Sequence, residues 1–158
     1  MLTEALIRYF SAKTAELAQS EVDKGGLPFS SIIVDEFGMQ IGEGVNQVCD
    51  LNDCTAHAEI QAIRSASTHL NSASLKGATL FASGEPCGLC YTAISLAKVS
   101  HVVILLDRHE VKRLGFDYLW TYQPSSDSGV TISEELLSRN DREMPFKGGA
   151  RQLDSIGL

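Results

Sequence analysis

The chain has 158 residues, of which 44% are hydrophobic and 21% charged, proportions that are ordinary for one globular domain. Thirteen basic and twenty acidic residues give a net charge of −7, and no Lys or Arg run is present, which argues against a nucleic-acid partner. Neither a membrane-spanning segment nor a signal peptide is recognisable, so the expected location is the cytoplasm, where the four cysteines would be metal ligands or free thiols.

The first half of the chain is predicted to contain a helix, a hairpin and a second helix. In chain order, the predicted elements are a helix at 3–24, strands at 29–34 and 39–45, and a helix at 56–69. Thr3 and Thr55 are candidate N-caps of the two helices, because threonine often precedes a first helical turn. Residues 35–38 are typical of a turn, and the polar residues 46–55 are typical of a loop.

The second half alternates strands and helices before it becomes irregular. The predicted elements are strands at 78–82 and 101–106, both buried, and helices at 87–98, 107–114 and 133–139. Pro86 stands just ahead of the first turn of the helix at 87–98, a position that suits proline. The order αββαβαβ, with short connections, predicts one α/β domain over residues 1–158, with a mixed sheet and helices on both faces.

Two short segments carry residues from which a chemistry can be inferred. His57 and Glu59 open one predicted helix, and Cys87 and Cys90 open another. Cysteines at i and i+3 share one helix face, and a helix N-terminus stabilises the thiolates that bind zinc. With His57 as a third ligand, one tetrahedral position stays open for water, which is the mark of a catalytic zinc site.

This ligand pattern predicts hydrolytic deamination. Zinc lowers the pKa of bound water to roughly 7, so hydroxide is available at neutral pH to attack a ring carbon that bears an amine. Glu59 lies two residues beyond His57, so its carboxylate can reach the water without binding the metal. As the general acid and base, Glu59 would move protons to the ring nitrogen and to the departing ammonia.

The His-x-Glu and Pro-Cys-x-x-Cys motifs resemble the signature of the cytidine and deoxycytidylate deaminase superfamily. Over residues 29–122 the chain is most similar to guanine deaminases and tRNA-specific adenosine deaminases. The resemblance implies a three-layer α/β/α sandwich with a mixed five-stranded sheet, a homodimer, and a nucleobase or nucleoside substrate. It also implies that the substrate is contacted by a set of five residues, namely Phe29, Asn46, Ala56, Asp117 and Tyr118.

The chain departs from guanine deaminases at several positions. Tyr118 stands where those enzymes carry a second acidic residue after Gly-Phe-Asp, which predicts a substrate preference different from theirs. Cys54 replaces a proline ahead of His57. The tail at 144–158 matches no family pattern, and it is either a mobile cover over the active site or an ordinary loose terminus.

Several alternatives accompany this interpretation. A free aminopurine, with guanine first, is the leading substrate, and a base within RNA or a cytosine-type base are the alternatives. A non-catalytic module would result if Cys54 closed a Cys₃His zinc site, although that leaves Glu59 without a role. Asp117 and Asn46 could be local capping residues, and the aromatic side chains of residues 116–122 could be a stacking wall or core packing.

Overall fold

The computed structural model describes residues 2–122, which contain a four-stranded mixed sheet with helices on both faces. The strands are β1 (Ser30–Val34), β2 (Gln40–Val45), β3 (Thr79–Ala82) and β4 (His101–Ile104). The helices are α1 (Glu4–Asp23), α2 (Val48–Leu51), α3 (Ala58–Leu70), α4 (Gly88–Leu96) and α5 (Arg108–Arg113), followed by a 3₁₀ turn at Leu119–Tyr122. The predicted α/β class and element order are confirmed. A fifth strand is not among residues 2–122, and the helix predicted at 133–139 and the tail at 144–158 lie outside them.

The sheet has the strand order β2-β1-β3-β4. β1 pairs antiparallel with β2 and with β3, whereas β3 and β4 run parallel, with α4 in the connection between them. Parallel strands end at the same edge of a sheet. The segments that follow β3 and β4 therefore leave the sheet at the same end of these two strands, and the cysteine motif follows β3 at that end.

The core has one apolar cluster on each face of the sheet, because β1 and β3 are buried throughout and send alternate side chains to opposite faces. On the α1 face the buried cluster consists of Phe10, Ile32, Val34 and Phe81. On the other face, side chains of α3 and α4 pack against the sheet around Ile33, Leu80 and Ile94. The two clusters produce three layers, as the α/β/α prediction requires.

The last strand differs from its prediction. β4 was predicted to be buried and to run to residue 106, but it ends at Ile104, and both His101 and Ile104 are exposed. The physical reason is its position at the edge of the described sheet, where only β3 pairs with it. Among residues 2–122, no helix combines the length and hydropathy that crossing a membrane requires.

The helix starts also differ from their predictions, in a way that matters for the site. Thr55 does not cap α3, because its amide and hydroxyl both donate to the carboxylate of Asp53, at 2.9 and 2.6 Å. The residues ahead of α3 form a turn closed by the bond from the Ala56 amide to the Asp53 carbonyl oxygen, and His57, in an extended conformation, is the N-cap. Cys87 has the same position ahead of α4, and the predicted loop contains the short helix α2.

Candidate metal centre and active-site cavity

Three side chains converge where α3 and α4 begin. Nδ1 of His57 lies 3.4 Å from Sγ of Cys87 and 3.4 Å from Sγ of Cys90, and the two sulfurs are 3.6 Å apart. Both cysteines are buried and His57 is half-buried. In the described part of the chain, these three residues form the one group whose ligand atoms lie close enough together to hold a metal ion.

The spacing of these atoms fits zinc. Zn–S bonds of about 2.3 Å and Zn–N bonds of about 2.0 Å in a tetrahedron separate two sulfurs by about 3.8 Å, and a sulfur from a nitrogen by about 3.5 Å. The observed separations are within about 0.2 Å of these values. Two sulfurs and one imidazole nitrogen are also the donor set that zinc prefers. The residues present therefore fit a zinc ion with one position left for another ligand.

The thiols and the imidazole also have perturbed protonation. The hydrogen bond between the two sulfurs lowers the pKa of Cys87 to about 4 and raises the pKa of Cys90, since one proton is shared between them. The hydrogen bond with Cys87 raises the pKa of His57. A cation at the centre of this group would replace the shared proton, as metal binding to thiols generally does.

Glu59 lies beside the ligand group and is almost fully buried, with 6% of its surface exposed. Its Oε2 lies 3.3 Å from Sγ of Cys90. Burial is the largest influence on this carboxyl group and raises its pKa, because the charged form loses solvation. A buried carboxyl group with a raised pKa holds a proton more readily than an exposed one, which suits a group that must both accept and release protons.

A cavity of about 470 Å³ opens beside these residues, within the range of small-molecule sites. His57, Glu59 and Cys87 form one wall. The other lining residues include aromatic, aliphatic and polar side chains: Phe29, Asn46, Cys54, Ala58, Glu85, Leu89, Tyr118, Trp120 and Thr121. Flat apolar walls with a few polar groups are suited to a planar heterocycle.

The comparisons with known proteins agree with this geometry. Residues 5–106 match the family model described as the cytidine and deoxycytidylate deaminase zinc-binding region. The chain belongs to this deaminase family. The match confirms the predicted enzyme class, hydrolytic deamination, and the zinc-binding character of the family.

Several relatives of this deaminase are known. It is 37% identical over 115 residues to the guanine deaminase of Bacillus subtilis strain 168, covering 72% of this chain and 73% of that one. It is 32% identical over 138 residues to the tRNA-specific adenosine deaminase of Aquifex aeolicus strain VF5, covering 80% and 91%. The crystal structure of a guanine deaminase from Bacillus subtilis superposes with a TM-score of 0.80 at 30% identity, over 95% of each chain. A structure solved with 2,6-diaminopurine has a TM-score of 0.64 at 29% identity, over 68% of this chain and 60% of that one.

Three of the five predicted substrate contacts line the cavity of this deaminase: Phe29, Asn46 and Tyr118. Asn46 Oδ1 also accepts from the Val48 amide at 3.2 Å, so the local capping role is present too. The Tyr118 hydroxyl donates to the carbonyl oxygen of Glu85 at 2.6 Å, which uses its hydrogen inside the protein.

The other two predicted contacts do not line the cavity. Ala56 is fully buried, and its backbone is hydrogen-bonded to Asp53 and Gln47. The Asp117 carboxylate pairs with Lys112 at 2.9 Å and accepts from the Leu119 amide, which is the local capping role that the sequence left open. A substrate role for these two residues stays a prediction.

Sequence reasoning also missed residues around the cavity. Glu85, Leu89 and Thr121 line it, and Arg108 pairs with the Glu85 carboxylate at 2.5 Å and lowers its pKa. The position of Glu85 directly before Pro86-Cys87 was the available signal. The partner Arg108 lies 23 residues away in the sequence, so no local pattern could reveal it.

Cys54 also lines the cavity, and its side chain is exposed. It is not a member of the compact group formed by His57, Cys87 and Cys90. The geometry therefore favours three protein ligands over the closed Cys₃His alternative.

Proposed function

We propose that this deaminase removes the exocyclic amino group of a free purine base or nucleoside, with guanine as the first candidate, and releases ammonia. The observation that supports it is the juxtaposition, at one cavity wall, of a zinc-type ligand group with the buried carboxyl group of Glu59. A structural zinc site has no need of a neighbouring buried carboxylate, whereas a hydrolytic deaminase does.

In this proposal His57, Cys87 and Cys90 hold the zinc ion. When bound, zinc lowers the pKa of a water molecule to roughly 7 and so supplies a nucleophile at neutral pH. His57 and Cys87 are the N-caps of α3 and α4, and Cys90 lies in the first turn of α4. The positive N-terminal end of α4 favours the thiolate form of Cys87, whose pKa is lowered to about 4, and this is the form that binds metal.

Glu59 is proposed to transfer the protons. It accepts a proton as water oxygen bonds to the amino-bearing ring carbon, protonates a ring nitrogen, and then transfers the second water proton to the departing amine. Water and the amino compound thus become a ring carbonyl and ammonia, with atoms and charge balanced. A positioned acid/base of this kind contributes on the order of 10² to 10⁴ in rate.

The purine preference is supported by the relatives and by the cavity. One similar protein is a guanine deaminase, and a similar structure contains 2,6-diaminopurine, an aminated purine. The rings of Phe29 and Tyr118 meet edge to face with centroids 6.3 Å apart, and Trp120 adds a third aromatic wall. These rings can stack on or flank a planar base.

Deamination of adenosine within tRNA is the second candidate. It is favoured by the Aquifex aeolicus relative, which this chain matches over 91% of that protein's length. The net charge of −7 argues against it, because RNA affinity depends largely on basic side chains near phosphates.

One assay separates the candidates. Ammonia release would be measured with the zinc-loaded protein on guanine, adenine, cytosine, their nucleosides and a tRNA anticodon stem-loop. We expect turnover of a free purine or nucleoside and no salt-dependent, submicromolar binding of the stem-loop at physiological salt. Turnover of the stem-loop alone would support the second candidate, and no ammonia from any compound would contradict both.

Three further expectations stay predictions. A cytoplasmic location follows from the sequence features given above, and a homodimer follows from the family resemblance, which sedimentation of the purified protein would test. The cover role predicted for residues 144–158 concerns residues outside the described ones. Deleting residues 147–158 and measuring turnover at equal zinc content tests that role.

A further inference from the structure

The cavity wall at residues 118–122 is bonded to the segment that carries the first zinc-type cysteine. The Tyr118 hydroxyl donates to the Glu85 carbonyl oxygen, and the Tyr122 hydroxyl donates to the Pro86 carbonyl oxygen. The Gly88 amide donates to Oγ1 of Thr121 at 3.0 Å. These contacts join two segments that are more than 30 residues apart in sequence.

The backbone at Gly88 shows how close this approach is. A β-carbon at Gly88 would collide with the carbonyl oxygen of Thr121, which is a backbone atom that cannot rotate away. The first turn of α4 and the 3₁₀ turn at Leu119–Tyr122 are therefore packed backbone against backbone. A small displacement of the wall at this point would change the width of the cavity.

Arg108 is the side chain that contacts both segments. Its Nη2 pairs with Glu85 Oε1 at 2.5 Å, and its amide donates to Glu85 Oε2 at 2.8 Å. The guanidinium also lies over the ring of Tyr122, with Cζ 3.7 Å from the ring centroid. The Glu85 side chain is only 10% exposed, and the Tyr91 hydroxyl also donates to its Oε1, at 3.2 Å. The carboxylate is therefore held from several sides.

We infer that Arg108 is a positioning residue that holds the aromatic wall at residues 118–122 against the Glu85–Gly88 segment and thereby sets substrate affinity. A planar guanidinium can bond to a carboxylate and stack on an aromatic ring at the same time, whereas an ammonium group cannot do both. Arg108 does not line the cavity, so it acts on substrate indirectly, through the residues that it contacts, Glu85 and Tyr122.

The expected kinetic effect follows from what the wall contacts. Tyr118, Trp120 and Thr121 line the cavity, whereas the ligand group and Glu59 belong to the starts of α3 and α4. A loosened wall weakens the binding of substrate and transition state to similar extents. Such a loss raises KM and leaves kcat nearly unchanged. This kinetic part of the inference rests on the proposed deaminase function.

A second readout is independent of any substrate. Trp120 is the single tryptophan of the sequence and belongs to the 3₁₀ turn of this wall. Its side chain is 75% exposed, so the fastest part of its fluorescence anisotropy decay reports rotation of the side chain, and the slower part, compared between variants, reports motion of the segment. We would compare Arg108→Met, Arg108→Lys and, as the matched control, Arg113→Met, whose arginine is exposed on the same helix. Removing Arg108 alone leaves the Glu85 carboxylate buried without its partner, which can cause misfolding. The double variant Arg108→Met with Glu85→Gln removes that charge and controls for this effect.

We expect Arg108→Met to raise KM about tenfold with kcat changed less than about twofold, and we expect both this variant and its combination with Glu85→Gln to retain one zinc per chain. Trp120 should show faster local motion in both, and Arg108→Lys should recover part of each effect. The inference is overturned if these variants match Arg113→Met in KM and in anisotropy, or if kcat and zinc content fall while KM rises. If no compound is deaminated, the proposed function fails, and the anisotropy alone decides the inference.

Discussion

Replacing Gly44 by alanine should displace the helix that carries Glu59. Gly44 lies in β2 directly under α3, and a β-carbon there would lie 2.8 Å from Cβ of Gln61. It would collide still more closely with the Ala58 carbonyl oxygen and the Ala62 amide nitrogen, which are backbone atoms of α3. Restoring ordinary contact requires α3 to move by at least about 0.6 Å.

That displacement sets the size of the expected effects. Ala58 and Gln61 belong to the start of α3, so the movement reaches Glu59 and the adjoining His57. A misplacement of about 1 Å can cost on the order of 10² in rate, so we expect kcat to fall about ten- to a hundredfold. Overpacking typically lowers the free energy of unfolding by about 1–3 kcal/mol, so we expect Gly44→Ala to lose at least roughly 1 kcal/mol.

The assay compares Gly44→Ala with Gly26→Ala, which adds the same methyl group in an exposed turn after α1. Urea unfolding gives stability, and ammonia release at equal zinc content gives kcat. The control Gly26→Ala should keep the stability and the kcat of the wild type. If Gly44→Ala also keeps both, then α3 is not held against β2 as described, and the reasoning is refuted.

Three other predictions follow from single residues. Cys54→Ser should retain one zinc per chain by metal analysis, and loss of zinc would instead indicate the closed Cys₃His site. The family resemblance places Tyr118 where guanine deaminases carry an acidic residue, and its hydroxyl hydrogen is bonded to the Glu85 carbonyl oxygen, so guanine turnover should be weak and should change in Tyr118→Ala. Efficient guanine turnover that is identical in that variant would contradict this expectation. The Asp107 carboxylate accepts from the amides of His109 and Glu110, which lowers its pKa, so its stabilising effect is present above the unfolded pKa of about 3.9 and is lost as pH falls through the lowered pKa. The urea midpoint of Asp107→Asn, whose amide caps a helix at any pH, should therefore depend less on pH between about 5 and 2 than that of the wild type.

Much of the local structure could be predicted from the sequence because it depends on neighbouring residues. The Thr3 cap of α1 is present, its hydroxyl oxygen accepting from the Leu6 amide. The hairpin of β1 and β2 is also present, and the two zinc-type motifs come together as the family resemblance implies. The cap and the hairpin are signalled by a short spacing or a turn, whereas the convergence of the two motifs, about 30 residues apart, was implied by the resemblance.

The features that were missed depend on contacts between distant segments. Thr55 resembles an N-cap, but Asp53 takes both of its donors and leaves His57 at the cap. The apolar β4 sequence predicts burial, but its place at the edge of the described sheet leaves it partly exposed. The pairing of Glu85 with Arg108 depends on α5 following β4 at the edge of the sheet from which the cysteine segment also leaves. Periodicity and capping rules do not carry such information.

The central claim is that Glu59 transfers protons beside a zinc ion that it does not bind. Its most direct test measures zinc content and ammonia release on one preparation of Glu59→Gln, with the preferred substrate of the wild type. Glutamine keeps the size of the side chain but cannot accept and return a proton at neutral pH. The account predicts one zinc per chain and a rate lower by at least about 10². Ammonia release at the wild-type rate, with zinc fully retained, would contradict it.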